Sequence, residues 1–185
     1  MRATKEDLED RWHKMLFSVC RSIRYHQRRR GFYDRLDKTS NMLSLILGSA
    51  TIYGVLQENA KNVALIASAT VTVVSSINLV VSSAQRGRDH TDFMRKYVEL
   101  EKRMLGEPSE ELLLEVSTAR LTIEAEEPPV LHVLNSICHN DMLRARGYAK
   151  KHFLKIGWFQ ALLAQIIDIN VSGIKLPKAD SSASP

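Results

Sequence analysis

The richest chemistry in this 185-residue chain sits in four adjacent residues, Cys138-His139-Asn140-Asp141. A thiol beside an imidazole and a carboxylate offers the parts of a nucleophile with its base, or of a metal site. The spacing argues against both. On a helix, consecutive side chains point around the axis about 100° apart, so four in a row cannot converge on one atom. A thiol nucleophile also needs a base positioned from elsewhere in the chain, and none is evident. His26, within Arg-Tyr-His-Gln-Arg, reads as a helix-surface or headgroup residue rather than a ligand. The two cysteines, Cys20 and Cys138, are far apart and make no disulfide framework, which suits a reducing compartment. There is no glycine-rich phosphate loop, G-x-S-x-G elbow or H-E-x-x-H. The expectation is a protein that is not an enzyme, with no catalytic residues, cofactor or metal.

The elements that would position such residues are unusual. Charged residues make up 25% of the chain and hydrophobic ones 44%, ordinary for a folded domain, but they are segregated. Residues 1–38 carry a net +5, residues 39–85 zero, residues 86–127 −4 and residues 128–185 +4. The middle block holds only Glu58 and Lys61, which argues against an ordinary small soluble enzyme. Glycine and proline are sparse, no strand-like alternation persists and no long repeat is visible, so the chain reads as helical. Met1 to Asp10 holds four acids and no apolar run; it is no signal peptide, and insertion would be directed internally.

Thr39 to Gln57 is 19 residues without a charge, and Asn62 to Gln85 is 24. At ~1.5 Å per residue such helices measure about 28 and 36 Å, enough for a hydrocarbon core of ~30 Å. Only Glu58-Asn59-Ala60-Lys61 separate them, which predicts an antiparallel transmembrane hairpin in preference to a buried soluble one. Arg28, Arg29, Arg30, Arg35 and Lys38 precede the first run; Arg86, Arg88, Arg95 and Lys96 follow the second. Short basic flanks stay on the cytoplasmic side, so both termini are expected there. Anionic headgroups attract each such charge by ~1 kcal/mol. Arg28, Arg29, Arg30, Arg35, Lys38, Arg86 and Arg88 are therefore assigned to membrane lipid rather than nucleic acid.

The second run has two faces. Thr72, Ser75, Ser76, Asn78, Ser82 and Ser83 fall within about 80° of Ser68 to either side on the helical projection, opposite Val63, Ile66, Val73, Val74, Ile77, Val80 and Val81. Hydroxyls bonding across to the first helix, at ~0.6 kcal/mol each, are one reading. The other is a pore, with several copies turning this face to a common axis. A polar half-cylinder is wider than one partner helix needs, which favours a homo-oligomer. The first run carries a narrower stripe, Asn41, Ser44, Gly48 and Thr51, in which Ser44, Gly48 and Thr51 are expected to pack the hairpin.

Around the hairpin, residues 5 to 38 form an amphipathic helix through Leu8, Trp12, Met15, Leu16, Val19 and Ile23. Helices are expected at Asp89–Leu105, at Ser109–Glu126, and at Val130–Arg146 beyond the Pro128-Pro129 break. Tyr148 to Ile169 has only 12 uncharged residues between Lys155 and Asp168, too short to span. Lys150, Lys151 and Lys155 lead there into Trp158, Phe159, Leu162, Leu163, Ile166 and Ile167, a segment either interfacial or packed on the cytoplasmic bundle. Lys178 to Pro185 reads as disordered. The fold class is all-α: a basic amphipathic juxtamembrane helix (1–38), a two-span hairpin (39–85), a cytoplasmic helical region (86–170) and a flexible tail (171–185).

One further pattern lies in the order of these pieces. Ile23-Arg24-Tyr25-His26-Gln27-Arg28-Arg29-Arg30 leads into Phe32-Tyr33-Asp34-Arg35-Leu36, and the hairpin follows. Then come Glu126-Glu127-Pro128-Pro129-Val130-Leu131 and Ser136-Ile137-Cys138-His139-Asn140. Over residues 10 to 170 this resembles the SLATT family, the SMODS and SLOG-associating two-transmembrane effector domains of bacterial conflict systems. The resemblance implies an effector that oligomerises and perforates the bacterial inner membrane in antiphage defence of the abortive-infection kind. It implies either a separate partner, a nucleotide-second-messenger synthase or sensor, or a copy that acts alone, and no catalytic residues. The alternative is a passive two-span anchor or scaffold that recruits a cytoplasmic partner.

Overall fold

The computed structural model describes residues 5–57 and 60–175, and every regular element among them is helical. Helix α1 runs from Lys5 to Leu56 without interruption. It contains no proline, so nothing removes a backbone donor along its 52 residues. The amphipathic segment and the first apolar run, expected as separate pieces meeting near Lys38, are thus one helix.

Helices α2 (Lys61–Val81) and α3 (Ser83–Arg103) follow each other with a single residue between them. That residue, Ser82, sits at φ 51°, ψ 48°, the left-handed region that glycine usually supplies. The second apolar run therefore ends as regular helix at Val81, and its last residues, with the basic flank, belong to α3. Helix α4 (Glu110–Glu126) opens where Ser109 accepts the Leu112 N–H, with Glu110 and Glu111 at the positive end of its dipole. Extended Glu127 closes it ahead of Pro128, because a residue before proline is pushed out of the helical region.

Helix α5 (His132–Ala145) starts two residues later than the sequence suggests. The Leu131 N–H is taken by the Tyr25 hydroxyl at 3.0 Å, and Asp168 caps the new start by accepting from His132 (2.6 Å) and Val133 (2.9 Å). A 3-10 turn (Lys150–His152), a short α6 (Trp158–Leu163) and a second 3-10 turn (Val171–Gly173) complete the described chain. The Lys155 N–H donates to the Lys175 carbonyl at 3.1 Å, so order continues past residue 170, where the tail was expected to begin. Glu58, Asn59 and residues 176–185, which include the stretch from Lys178, lie outside the described residues.

Two compact units divide the chain: Met1–Gln27 with Asp92–Pro185, and Arg28–Thr91. The first has two hydrophobic clusters. Trp12, Val19, Tyr97, Leu100, Met104, Leu113, Val116 and Ile123 form one, built on the apolar spacing of early α1. Tyr25, Val133, Leu134, Cys138 and Ala164 form the other. His26, expected at the surface, is instead buried. It follows Val19 and Ile23 at helical spacing, stacks on Tyr97 with ring centroids 5.6 Å apart, and meets the shielded Glu127 carboxylate at 3.1 Å. Its basic neighbours in sequence concealed that inward face.

Candidate functional site

The second unit contains the apolar helices. The most apolar parts of Lys5–Leu56 and Lys61–Arg103 are long enough to cross a membrane, yet only 11% and 6% of them is buried. Leu45, Leu56, Leu79 and Val80 are all more than three-quarters exposed. A soluble core helix would hide such residues, and a water-exposed patch of this size is rare. A continuous helix satisfies its own backbone, so hydrocarbon can solvate it where water would not.

Contacts between α1 and α2 fall at three levels. A Cβ on Gly54 would stand 2.8 Å from both the Ala60 oxygen and the Ala64 nitrogen, so the backbones approach as only glycine permits. Ala64 and Ala67 are buried on the facing side. Next, the Ser44 and Ser75 hydroxyls lie 3.4 Å apart. Last, Asn78 donates to Asp37 Oδ1 at 3.4 Å while Asn41 donates to Asp37 Oδ2 at 3.2 Å. Along these pairs α1 and α2 step in opposite directions. Gly48 is not part of the close approach, since a Cβ there would meet nothing within 4 Å; Thr51 bonds its own helix at the Leu47 carbonyl.

The hydroxyl face of α2 is divided. Asn78 is half-buried and bonds Asp37 of α1, while Ser75 is exposed with its hydroxyl 3.4 Å from that of Ser44. Ser68 is half-buried and bonds the Leu65 carbonyl; Thr72 and Ser82 are exposed and bond the Ser68 and Leu79 carbonyls. Ser76 is exposed as well. Thr72 and Ser76, one turn apart, thus form an open polar line that α1 does not cover.

The basic flanks are partly consumed inside this unit. Arg29 lies 4.7 Å from the centroid of the buried Tyr33 ring and donates to its hydroxyl at 2.5 Å. Arg86 reaches the same hydroxyl at 3.4 Å, and His90 stacks on the ring. Arg30 pairs with Asp34 at 3.4 Å, and Arg88 donates to Gln85. Arg28, Arg35 and Lys38 are exposed. Sequence reasoning missed Tyr33, Asp37, Gly54 and His90. Asp37 had a signal, as the last acid before an uncharged run whose partner helix carries Asn78 near the same end.

In the first unit the Cys138–Asp141 run disperses. Cys138 is fully buried, and His139 meets the Phe17 ring edge-on at 5.1 Å. Asn140 clamps the Leu154 backbone through two 2.8 Å hydrogen bonds, and Asp141 pairs with Arg144. Burial, then Arg21, holds the His139 pKa below the ordinary imidazole value. Burial and the Glu101 carboxylate push the Cys20 thiol up to about 11. The groove of about 980 Å³ beside His139 is walled in part by the Arg11–Glu110 ion pair and by Arg120, and no cysteine lines it. No three potential metal ligands cluster among the described residues.

No family model matches this chain, and neither a curated protein nor a solved structure is significantly similar to it.

Proposed function

We propose that this protein is a two-span membrane effector whose copies associate and permeabilise a bacterial inner membrane, with both termini cytoplasmic, as its resemblance to the SLATT family implies. One observation carries the reading: two long helices expose aliphatic side chains nearly all round, yet leave Thr72 and Ser76 as a polar line without an intrachain partner helix. A single hairpin in lipid gains little from such a line. Copies that turn it to a shared axis would wet it. A separate nucleotide-second-messenger synthase or sensor would supply the trigger.

A passive anchor is the second reading, favoured by the Ser44–Ser75 and Asp37–Asn78 contacts, which use part of the polar face within one chain. Dye release from liposomes carrying the purified chain separates the two. T72L/S76L should insert normally, since leucine favours the bilayer centre by about 0.5 kcal/mol. It should lose release, because an apolar lumen dewets. Release by this variant equal to wild type would remove the pore lining from this face, and no release by wild type itself would favour the anchor.

A further inference from the structure

The segment after α5 ends in a surface that the rest of its unit does not cover. Trp158 is 80% exposed, Leu162 66% and Ile166 67%, and Phe159 and Ile167 are exposed beside them. This is no loose strand of chain. Ala164 is buried in the second hydrophobic cluster, and Gln160 holds the turn by donating to the Ile169 and Asn170 carbonyls at 3.0 and 2.8 Å. Asn140 fixes the approach at Leu154, and Lys155 pairs with Lys175. The apolar side chains are therefore presented by a braced scaffold, Trp158, Phe159 and Leu162 from α6 and Ile166 and Ile167 from the turn that follows it.

Charge says what covers them. Arg144 is paired with Asp141, but between residues 146 and 175 the chain carries Arg146, Lys150, Lys151, Lys155 and Lys175 against a single carboxylate, Asp168. Asp168 is engaged in capping α5 through both oxygens. Lys150, Lys151 and Lys155 are exposed immediately before Trp158. A tryptophan-led apolar patch bordered by lysines fits the boundary of an anionic bilayer, where indole and aliphatic groups enter the headgroup layer and ammonium groups meet phosphate. The geometry points to a second membrane contact in this protein: the Trp158–Ile167 surface rests on an anionic lipid interface. This contact does not depend on a pore, since a chain that spans without conducting would make it equally.

The two tryptophans provide the test. Trp12 is 4% exposed inside the core, so Trp158 reports the patch. The full chain is placed in nanodiscs of phosphatidylcholine, with or without phosphatidylglycerol, using lipids brominated near the headgroup. With phosphatidylglycerol present, wild-type emission should shift to the blue and be quenched, W158F should lose the quenching, and K150Q/K151Q/K155Q should fall back to the level in phosphatidylcholine alone. A blue shift without bromine quenching would mean that protein, such as a second copy, covers the patch, and would overturn the proposal. Quenching that survives the lysine changes would overturn its anionic character, and emission unchanged by lipid would overturn it entirely.

Discussion

Glu127 is where two buried aromatic polar groups find an acceptor: His26 at 3.1 Å and the Tyr97 hydroxyl, whose pKa burial and this carboxylate both raise. Removing the acceptor of a buried donor costs ~1–3 kcal/mol. E127A should therefore cost about 3 kcal/mol in denaturant unfolding, and E127Q less, since the amide oxygen still accepts. A loss of only a few tenths, as at a solvated glutamate, would show that the cluster is not sealed. Cys20 gives a pH signature. Its thiol is raised from 9.0 to about 11, first by burial and then by its 3.3 Å bond to Glu101. The folded state holds this proton more tightly than the unfolded one, so the contribution is complete below pH 9 and is lost between 9 and about 11. Relative to C20S, the wild-type melting temperature should decline more steeply across that window, and parallel profiles would deny the shift. Neither environment was legible in the sequence, because each depends on a side chain brought from over 80 residues away: Glu127 for His26, Glu101 for Cys20.

At the scale of elements, periodicity disclosed more. The apolar steps of early α1, the Ser109 cap and the Pro128-Pro129 stop were all readable, since each is a local rule satisfied locally. Two junctions were not. Nothing marks Ser82 as left-handed, because it is not glycine and its neighbours read as helix on both sides. Holding a side-chain-bearing residue there costs ~1 kcal/mol or more, so S82G should raise stability by about that amount, and S82V should lower it. Thermal melts in micelles followed by circular dichroism would show the order; S82V as stable as S82G would contradict the backbone geometry. The small-residue stripe named Gly48, but the contact falls at Gly54, whose register depends on where the turn after Leu56 places Ala64. G54A must push Ala60 and Ala64 away, while G48A meets only open space. Disulfide formation between S44C and S75C, in a chain lacking Cys20 and Cys138, should fall in G54A and persist in G48A. Equal yields would place the close approach elsewhere.

For the whole molecule, the charge segregation was the most legible feature, because bilayer solvation is a demand on composition and needs no knowledge of packing. Less legible was what the polar face does, since packing against α1 and opening to other copies use the same residue types. Orientation can be tested without deciding between them. The basic residues lie before the first apolar run, where Arg28, Arg35 and Lys38 are exposed, and after the second; between the two runs the one base is Lys61, at the start of α2. Translocating the turn therefore moves one positive charge across the membrane, whereas the opposite orientation would move both flanks. In cells expressing a C20S/C138A background, Q57C should react with an impermeant maleimide added outside the inner membrane. S109C, at the start of α4, should react only after permeabilisation. The bias follows the number of basic residues in the flanks, so changing Arg28, Arg35 and Lys38 to glutamine should raise the fraction of S109C labelled from outside. Labelling of Q57C only from the cytoplasmic side would mean that the two apolar helices do not cross, and the membrane-spanning reading would fail with it.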